Sequence, residues 1–150
     1  MVKIRASNEW EDREAAVKKR LRSYRVLVSK YNACRDLLDS LQPNVTSKAS
    51  GDKVMCSGNN SAEDKIVTRL DLERQMEKSL QDMRDEIAQI MNLISLLDGD
   101  EFIVVLRRYT LNESMEITSK FIGKSIVHCW RIHGRAISKI SLTELGNDME

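Results

Sequence analysis

Apolar residues recur at heptad spacing in two long segments, residues 8–41 and 61–97. The first segment carries them at Val17, Leu21, Tyr24, Val28, Tyr31 and Leu38. The second carries them at Met76, Leu80, Met83, Ile87, Ile90, Ile94 and Leu97. This spacing predicts two amphipathic helices with a coiled-coil seam. Helices about 50 Å long are not stable alone in water, so we expect them to pair as an antiparallel hairpin, with another subunit, or with both.

The segment between these helices, residues 42–60, contains the only proline, two glycines and many Ser, Thr and Asn residues. Such a composition predicts a loop. At nearly twenty residues it is long for a compact domain, and we interpret it as a mobile connection, with a functional loop as the alternative. Ser61 and Asp64 form a capping pattern for the helix that follows.

Residues 98–140 predict three short helices. Asp98 and Glu101 form a capping-box pattern for the first helix, which should end near residues 110–112. Ser114 is a candidate N-cap for the second helix. Gly123 can adopt the positive φ of a tight turn, and Ser125 can cap the third helix, residues 125–140. The order of helix, turn and helix predicts a helix-turn-helix motif.

The third helix has an apolar face and a basic face. The apolar face consists of Cys129, Ile132, Ala136, Ile137 and Ile140, and the basic face carries His128, Arg131, Arg135 and Lys139. A helix that enters the major groove of DNA requires both a buried face and a basic face. The candidate DNA-binding residues are Lys124, Ser125, Ile126, His128, Trp130, Arg131, Arg135 and Lys139.

Each candidate has an expected role or a structural alternative. Arg131 is the best candidate for a base contact, because a guanidinium can bind guanine O6 and N7 together. Lys124 and Lys139 are candidate phosphate partners. Trp130 is as well suited to anchor the helix against the bundle as to contact DNA. His128, Cys129 and His133 do not have the spacing of a zinc site, so no metal is expected.

Residues 96–140 resemble the C-terminal half of phage-encoded late transcriptional regulators of the ArpU and RinA type, which are similar to region 4 of sigma-70 factors. The resemblance lies in four ungapped matches: Arg108 with Tyr109, then residues 114–119, 122–125 and 132–137. It implies a sigma-region-4-like DNA-binding domain and a regulator of phage or prophage origin, active in the cytoplasm of a bacterial host.

This chain departs from the phage pattern at four positions, with Met115 for tryptophan, Thr118 for isoleucine, Ser119 for alanine and Lys124 for tyrosine. It also differs from sigma factors, which place charged or amide side chains early in the recognition helix. Here Ile126 and Val127 stand at those positions, where they can contact a thymine methyl group but cannot hydrogen-bond to a base edge. The promoter element that sigma factors read is therefore not expected.

Composition limits the other possibilities. The 150 residues are 41% hydrophobic and 31% charged, which is typical of a folded helical protein. The three cysteines, Cys34, Cys56 and Cys129, are widely spaced and predict free thiols in a reducing cytoplasm. The sequence contains no membrane-span pattern, no phosphate-binding glycine loop and no nucleophile with an evident base, so we expect neither a membrane protein nor an enzyme, and no cofactor.

Positive charge is concentrated in two regions, although the net charge is only +1. Residues 1–40 contain ten basic and six acidic residues, and residues 98–140 contain seven and five. The cluster Lys18, Lys19, Arg20, Arg22 and Arg25 is interpreted as a solvated helix face, with a patch that contacts phosphates or RNA polymerase as the alternative. The last ten residues have three acids and no base and are predicted to form an acidic tail.

The sequence therefore predicts an all-α protein in three parts. A helical hairpin over residues 1–97 serves as an oligomerisation region, a three-helix DNA-binding domain covers residues 98–140, and the tail covers residues 141–150. The expected function is that of a homodimeric, sequence-specific transcriptional regulator that binds double-stranded DNA. The resemblance to phage late regulators implies that it activates late genes. One alternative is a small terminase subunit that recognises viral DNA for packaging. Another is a module that binds RNA polymerase as a sigma mimic or anti-sigma factor without reading DNA.

Overall fold

The protein is all-helical over residues 2–41 and 61–147, the parts of the chain that the structure, a computed structural model, describes. The five helices are α1 (Val2–Leu41), α2 (Ser61–Ser95), α3 (Gly99–Tyr109), α4 (Met115–Ile122) and α5 (Ile126–Asn147). The predicted fold class, a long helix pair followed by shorter helices, is confirmed. The predicted loop at residues 42–60, with Cys56, and the Ser61 side chain predicted as a cap lie outside the described residues.

Two helix boundaries differ from the expectation by six residues or more. Helix α1 begins at Val2, six residues before the predicted start. Helix α5 continues to Asn147, so most of the segment predicted as an acidic tail is helical. The extension has a physical cause: Ser141 is 2% exposed and Glu144 pairs with Arg20 of α1 at 3.1 Å, so these turns pack against the rest of the first unit. Among the described helices, none combines the length and apolar character needed to cross a bilayer.

The contacts divide the chain into two units, and the division differs from the predicted boundary at residue 97. The first unit comprises residues 1–28 and 85–150, and the second comprises residues 29–84. Helices α1 and α2 each contribute to both units. The N-terminal part of α1 therefore belongs to the same unit as the predicted DNA-binding domain.

The main core of the first unit is built from the heptad residues of α1 and α2 and from the apolar faces of α3 and α5. Val17 and Leu21 of α1 pack with Ile90 and Ile94 of α2, and all four side chains are at most 1% exposed. The other buried members are Leu97, Val105, Tyr109, Ala136, Ile137 and Ile140. A second cluster, Val104, Met115, Cys129 and Ile132, joins α3, α4 and α5. The three short helices are thus held together by burial of apolar area.

At the edge of the core, Arg20 of α1 is linked to α2 and α5 by ion pairs and a hydrogen bond. Its Nε lies 3.0 Å from Glu86 Oε1, its Nη1 lies 3.1 Å from Glu144 Oε1, and its Nη2 donates to Gln89 Oε1 at 2.6 Å. The hydrogen bond to Glu86 is the main reason why the pKa of Arg20 is raised. One member of the basic cluster predicted as a solvated face is therefore a structural residue.

The second unit contains further seam residues. Met76 and Leu80 of α2 are buried, and Tyr31, Leu38 and Met83 are half-buried. The guanidinium of Arg84 donates to the hydroxyl of Tyr31 at 2.9 Å and lies 5.8 Å from the centre of its ring. The apolar positions predicted for the seam are thus at least partly covered within each unit.

Candidate nucleic-acid interface

The connection between α4 and α5 has the geometry of a helix-turn-helix. Ser114 caps α4, and its Oγ accepts a hydrogen bond from the Ile117 amide at 3.4 Å. Gly123 ends α4 in the left-handed conformation, with φ +75°. Ser125 Oγ then accepts from the His128 amide at 3.2 Å and caps α5. These three predicted roles are confirmed, because each depends on chemistry within a few residues of the position.

The predicted cap of α3 is different. Asp98 is the N-cap residue, but its side chain makes no cap hydrogen bond. Glu101, predicted as the other half of the capping box, instead lies 2.6 Å from Lys139 Nζ on α5. The predicted capping box is therefore wrong: a tertiary ion pair replaces the local hydrogen bond.

Helix α5 has the predicted division into a buried face and an exposed face. The five apolar residues named from the sequence are each no more than 1% exposed: Cys129, Ile132, Ala136, Ile137 and Ile140. The opposite side forms an open concave surface of about 740 Å³, which we call the α5 groove. It is lined by His128, Arg131, Gly134, Arg135, Ser138 and Lys139. Four predicted DNA-binding residues are thus brought together, and Gly134 and Ser138 are additions that no charge pattern indicated.

The other predicted residues lie near the beginning of α5. Ile126 is 42% exposed and its neighbour Val127 is 63% exposed, so apolar surface is presented where the helix starts. Trp130 is 47% exposed at the edge of the helix. Ser125 is exposed, but its hydroxyl is already used as the cap.

Two predicted phosphate partners are engaged in ion pairs. Lys124 pairs with Asp100, and Lys139 pairs with Glu101, both acids lying in the first turn of α3. By contrast, Arg131 and Arg135 are exposed and make no hydrogen bond or ion pair with any residue that the structure describes. They are one helical turn apart and face the α5 groove. The unpaired positive charge of the groove thus comes chiefly from two arginines.

An aromatic cluster joins α5 to the end of α3. The Tyr109 hydroxyl lies 2.8 Å from His133 Nε2, and the two rings are stacked with centres 5.7 Å apart. Trp130 meets His133 edge-on at 5.5 Å, and the Arg108 guanidinium lies 5.5 Å from the centre of the Trp130 ring. Trp130 therefore has the anchoring role that was its structural alternative, with part of its surface still exposed.

This cluster lies in a positive electrostatic environment. Burial, followed by the charges of Lys18, Arg108 and Arg22, lowers the pKa of His133 to about 4, with Glu14 acting in the opposite direction. Burial also raises the pKa of Tyr109, against the effect of Arg22 and Arg108. At neutral pH His133 is an uncharged partner of Tyr109, which fits a structural role.

Helix α1 also contacts α5 through a hydrogen bond between side chains. Ser138 donates from Oγ to Glu14 Oε1 at 2.7 Å, and the same oxygen accepts from Trp10 Nε1 at 3.0 Å. A carboxylate therefore borders the C-terminal part of the α5 groove. The sequence pattern did not indicate this contact, because Glu14 and Ser138 are 124 residues apart.

The described residues contain no group of three or more His, Cys, Asp and Glu side chains able to hold a metal ion. The chain matches no protein-family model, no curated protein and no solved structure at a significant level. The candidate site is thus a capped helix-turn-helix, and the guanidinium groups of Arg131 and Arg135 on the exposed side of its second helix have no partner in the described part of the chain.

Proposed function

We propose that the protein is a sequence-specific regulator of transcription that inserts α5 into the major groove of double-stranded DNA. One observation carries the proposal: Arg131 and Arg135 have no partner among the described residues and lie on the exposed face of the second helix of a helix-turn-helix. Planar guanidinium groups are suited to guanine edges and to phosphates. The resemblance to phage late regulators adds the expectation of gene activation in a bacterial cytoplasm.

DNA should approach the N-terminal part of α5. Glu14 would repel phosphates near Ser138, whereas Ser125, His128 and Arg131 lie away from that carboxylate along the helix. Lys124 and Lys139 can still contribute, because exposed ion pairs are worth at most about 1 kcal/mol and can be exchanged for phosphate contacts. In this arrangement Arg131 is the principal base-reading residue.

Selection of bound duplexes from a random library, followed by fluorescence anisotropy, tests the proposal. The wild type should prefer a selected duplex to a scrambled one. Arg131→Ala should weaken binding to the selected duplex by about 1–3 kcal/mol and reduce the preference. Arg74→Ala, which removes an exposed arginine of α2, is the matched control and should bind as the wild type does. Equal affinity of the wild type for both duplexes would contradict sequence-specific reading.

A homodimer remains part of the proposal, but its surface differs from the one that the heptad pattern suggested. Within one chain, the seam residues Ile90 and Ile94 are fully buried, and Tyr31, Leu38 and Met83 are half-buried. The large apolar side chains that remain exposed on the described part of α2 are Ile66, Val67, Leu70 and Leu72. Sedimentation velocity should reveal a dimer, and a ring of eight or more subunits would instead favour a packaging subunit.

The second candidate function is docking on RNA polymerase as a sigma mimic. Its support is the exposure of Ile126 and Val127 at the start of α5, where a base-reading helix usually has polar side chains. Such apolar surface suits a protein partner. Absence of DNA binding at low salt, together with direct binding of purified RNA polymerase, would favour this function over the first.

A further inference from the structure

A small basic pocket lies beside the aromatic cluster, between α1 and the end of α3. Its volume is about 240 Å³, several times the roughly 30 Å³ that a water molecule occupies in the liquid. We call it the arginine pocket. It is lined by Arg22, Arg25 and Val26 of α1 and by Arg108, Tyr109 and Asn112.

The cations of the arginine pocket have no carboxylate partner among the described residues. Arg22 and Arg25 make no hydrogen bond or ion pair there, and Arg108 donates only to the backbone carbonyl of Glu113, at 3.4 Å. The carboxylate of Glu113 is taken by the neighbouring Arg107, at 2.6 Å. Arg20, in the same part of α1, differs from Arg22 and Arg25 because two carboxylates, those of Glu86 and Glu144, bind it. The pocket therefore concentrates positive charge that the described part of the chain does not neutralise.

The positive charge of the arginine pocket also acts on neighbouring groups. Arg22 and Arg108 both act on the hydroxyl of Tyr109 and on the imidazole of His133 from different helices. Three guanidinium groups around one concave space offer planar, forked donors, which match the oxygens of a phosphate group. Mutual repulsion of the cations would be relieved when such an anion is bound.

The pocket also adjoins the proposed DNA-reading helix. Arg108 lies 5.5 Å from the ring of Trp130, and Tyr109 of the pocket wall is hydrogen-bonded to His133 of α5. We propose that the arginine pocket is a phosphate-binding site, and that it holds a backbone phosphate of the DNA read by α5. The second part rests on the proposed function. With this site, α1 becomes part of the proposed DNA-binding surface. Arg22 and Arg25, which belong to the basic cluster interpreted from the sequence as a solvated face, then bind phosphate.

The double variant Arg22→Gln/Arg25→Gln tests this site in the full chain. Anisotropy titrations on the selected and scrambled duplexes should give about tenfold weaker binding to both, since a phosphate contact carries no sequence information. The slope of log K against log salt should become shallower by about 1 for each phosphate that the variant no longer binds. Lys19→Gln, an exposed basic residue of α1 that does not line the pocket, should change neither quantity. Circular dichroism of each variant verifies the fold.

The outcomes separate the pocket from the proposed function. Unchanged binding of both duplexes by the double variant, while the wild type remains sequence-specific, would overturn the pocket and leave the function intact. If the wild type binds no DNA, a second experiment asks whether the pocket binds free phosphate. The midpoint of thermal unfolding is compared in inorganic phosphate and in chloride of equal ionic strength. Stabilisation by phosphate that is absent from the double variant would support a site for free phosphate groups. No difference between the two salts would then overturn the site altogether.

Discussion

Protonation of His133 should destabilise the folded protein. This residue is 6% exposed, shares a hydrogen bond with Tyr109, and is surrounded by the charges of Lys18, Arg22 and Arg108. Between pH 6.5 and 4 the unfolded chain binds a proton at this histidine and the folded chain does not. The contribution of His133 to stability is therefore complete above about pH 6.5 and is lost as the pH falls towards 4.

The size of the effect follows from the difference between the two pKa values. A histidine pKa that falls from 6.5 to about 4 on folding corresponds to a loss on the order of 3 kcal/mol across that pH range. Urea unfolding at a series of pH values from about 7.5 to 4, followed by circular dichroism, would measure it as a fall in the free energy of unfolding. Carboxylates also bind protons near the acidic end of this pH range. Histidine variants are therefore needed to separate the effect of the carboxylates from that of His133.

His133→Gln keeps a polar partner for Tyr109 but cannot take up this proton. Its stability should fall less than that of the wild type between about pH 6.5 and 4.5. His128→Gln removes the other, half-exposed histidine and should retain the wild-type fall, because His133 is intact. The reasoning would be refuted if the free energy of unfolding had the same pH dependence in the wild type and in His133→Gln. It would also be refuted if the NMR resonance of His133 in the folded protein titrated near pH 6.5.

Two further predictions concern the helix-turn-helix. Gly123→Ala should reduce the free energy of unfolding by about 1–2 kcal/mol, because Gly123 has a φ of +75°. Gly134→Ala should increase it by roughly 0.5–1 kcal/mol, because Gly134 lies inside α5 with open space around the added Cβ. Urea unfolding measures both changes, and equal effects of the two variants would contradict the role of the turn. Thr118→Val should raise the free energy of unfolding by about 1 kcal/mol, because the Thr118 hydroxyl is buried without a hydrogen-bond partner among the described residues. A loss of stability would indicate that this hydroxyl does make a hydrogen bond in the folded protein.

The features of the fold that the sequence predicted are those that depend on local chemistry. The caps at Ser114 and Ser125 and the turn at Gly123 each require only a donor, an acceptor or a backbone conformation within three or four residues. The apolar periodicity of α5 likewise identified its buried face. Burial of one face follows from helical spacing whatever the helix packs against, so no tertiary information was needed.

The partners of charged residues were not predictable in the same way. Glu101 had the spacing of a capping box, yet it pairs with Lys139, 38 residues away. Arg20 and Arg22 are only two residues apart, but the first is bound by Glu86 and Glu144, while the second lines a pocket whose described residues include no carboxylate. Which charges meet depends on how α1 crosses α5 and α3, and the hydrophobic pattern does not specify that crossing.

The position of α1 changes how the proposed DNA-binding part of the chain should be defined. Val17 and Leu21 are buried in the same cluster as Ile137 and Ile140 of α5, together with Ile94 of α2. A fragment that begins after α2 would expose one side of that cluster to water, at a cost of about 25 cal/mol for each Å² of apolar surface. The helix-turn-helix therefore depends on the ends of both long helices for its stability, and the same stretch of α1 supplies the arginines that extend its positive surface. If the proposed interface is correct, α1 adds stability and the charges of Arg22 and Arg25 to those of Arg131 and Arg135, although it is far away in sequence.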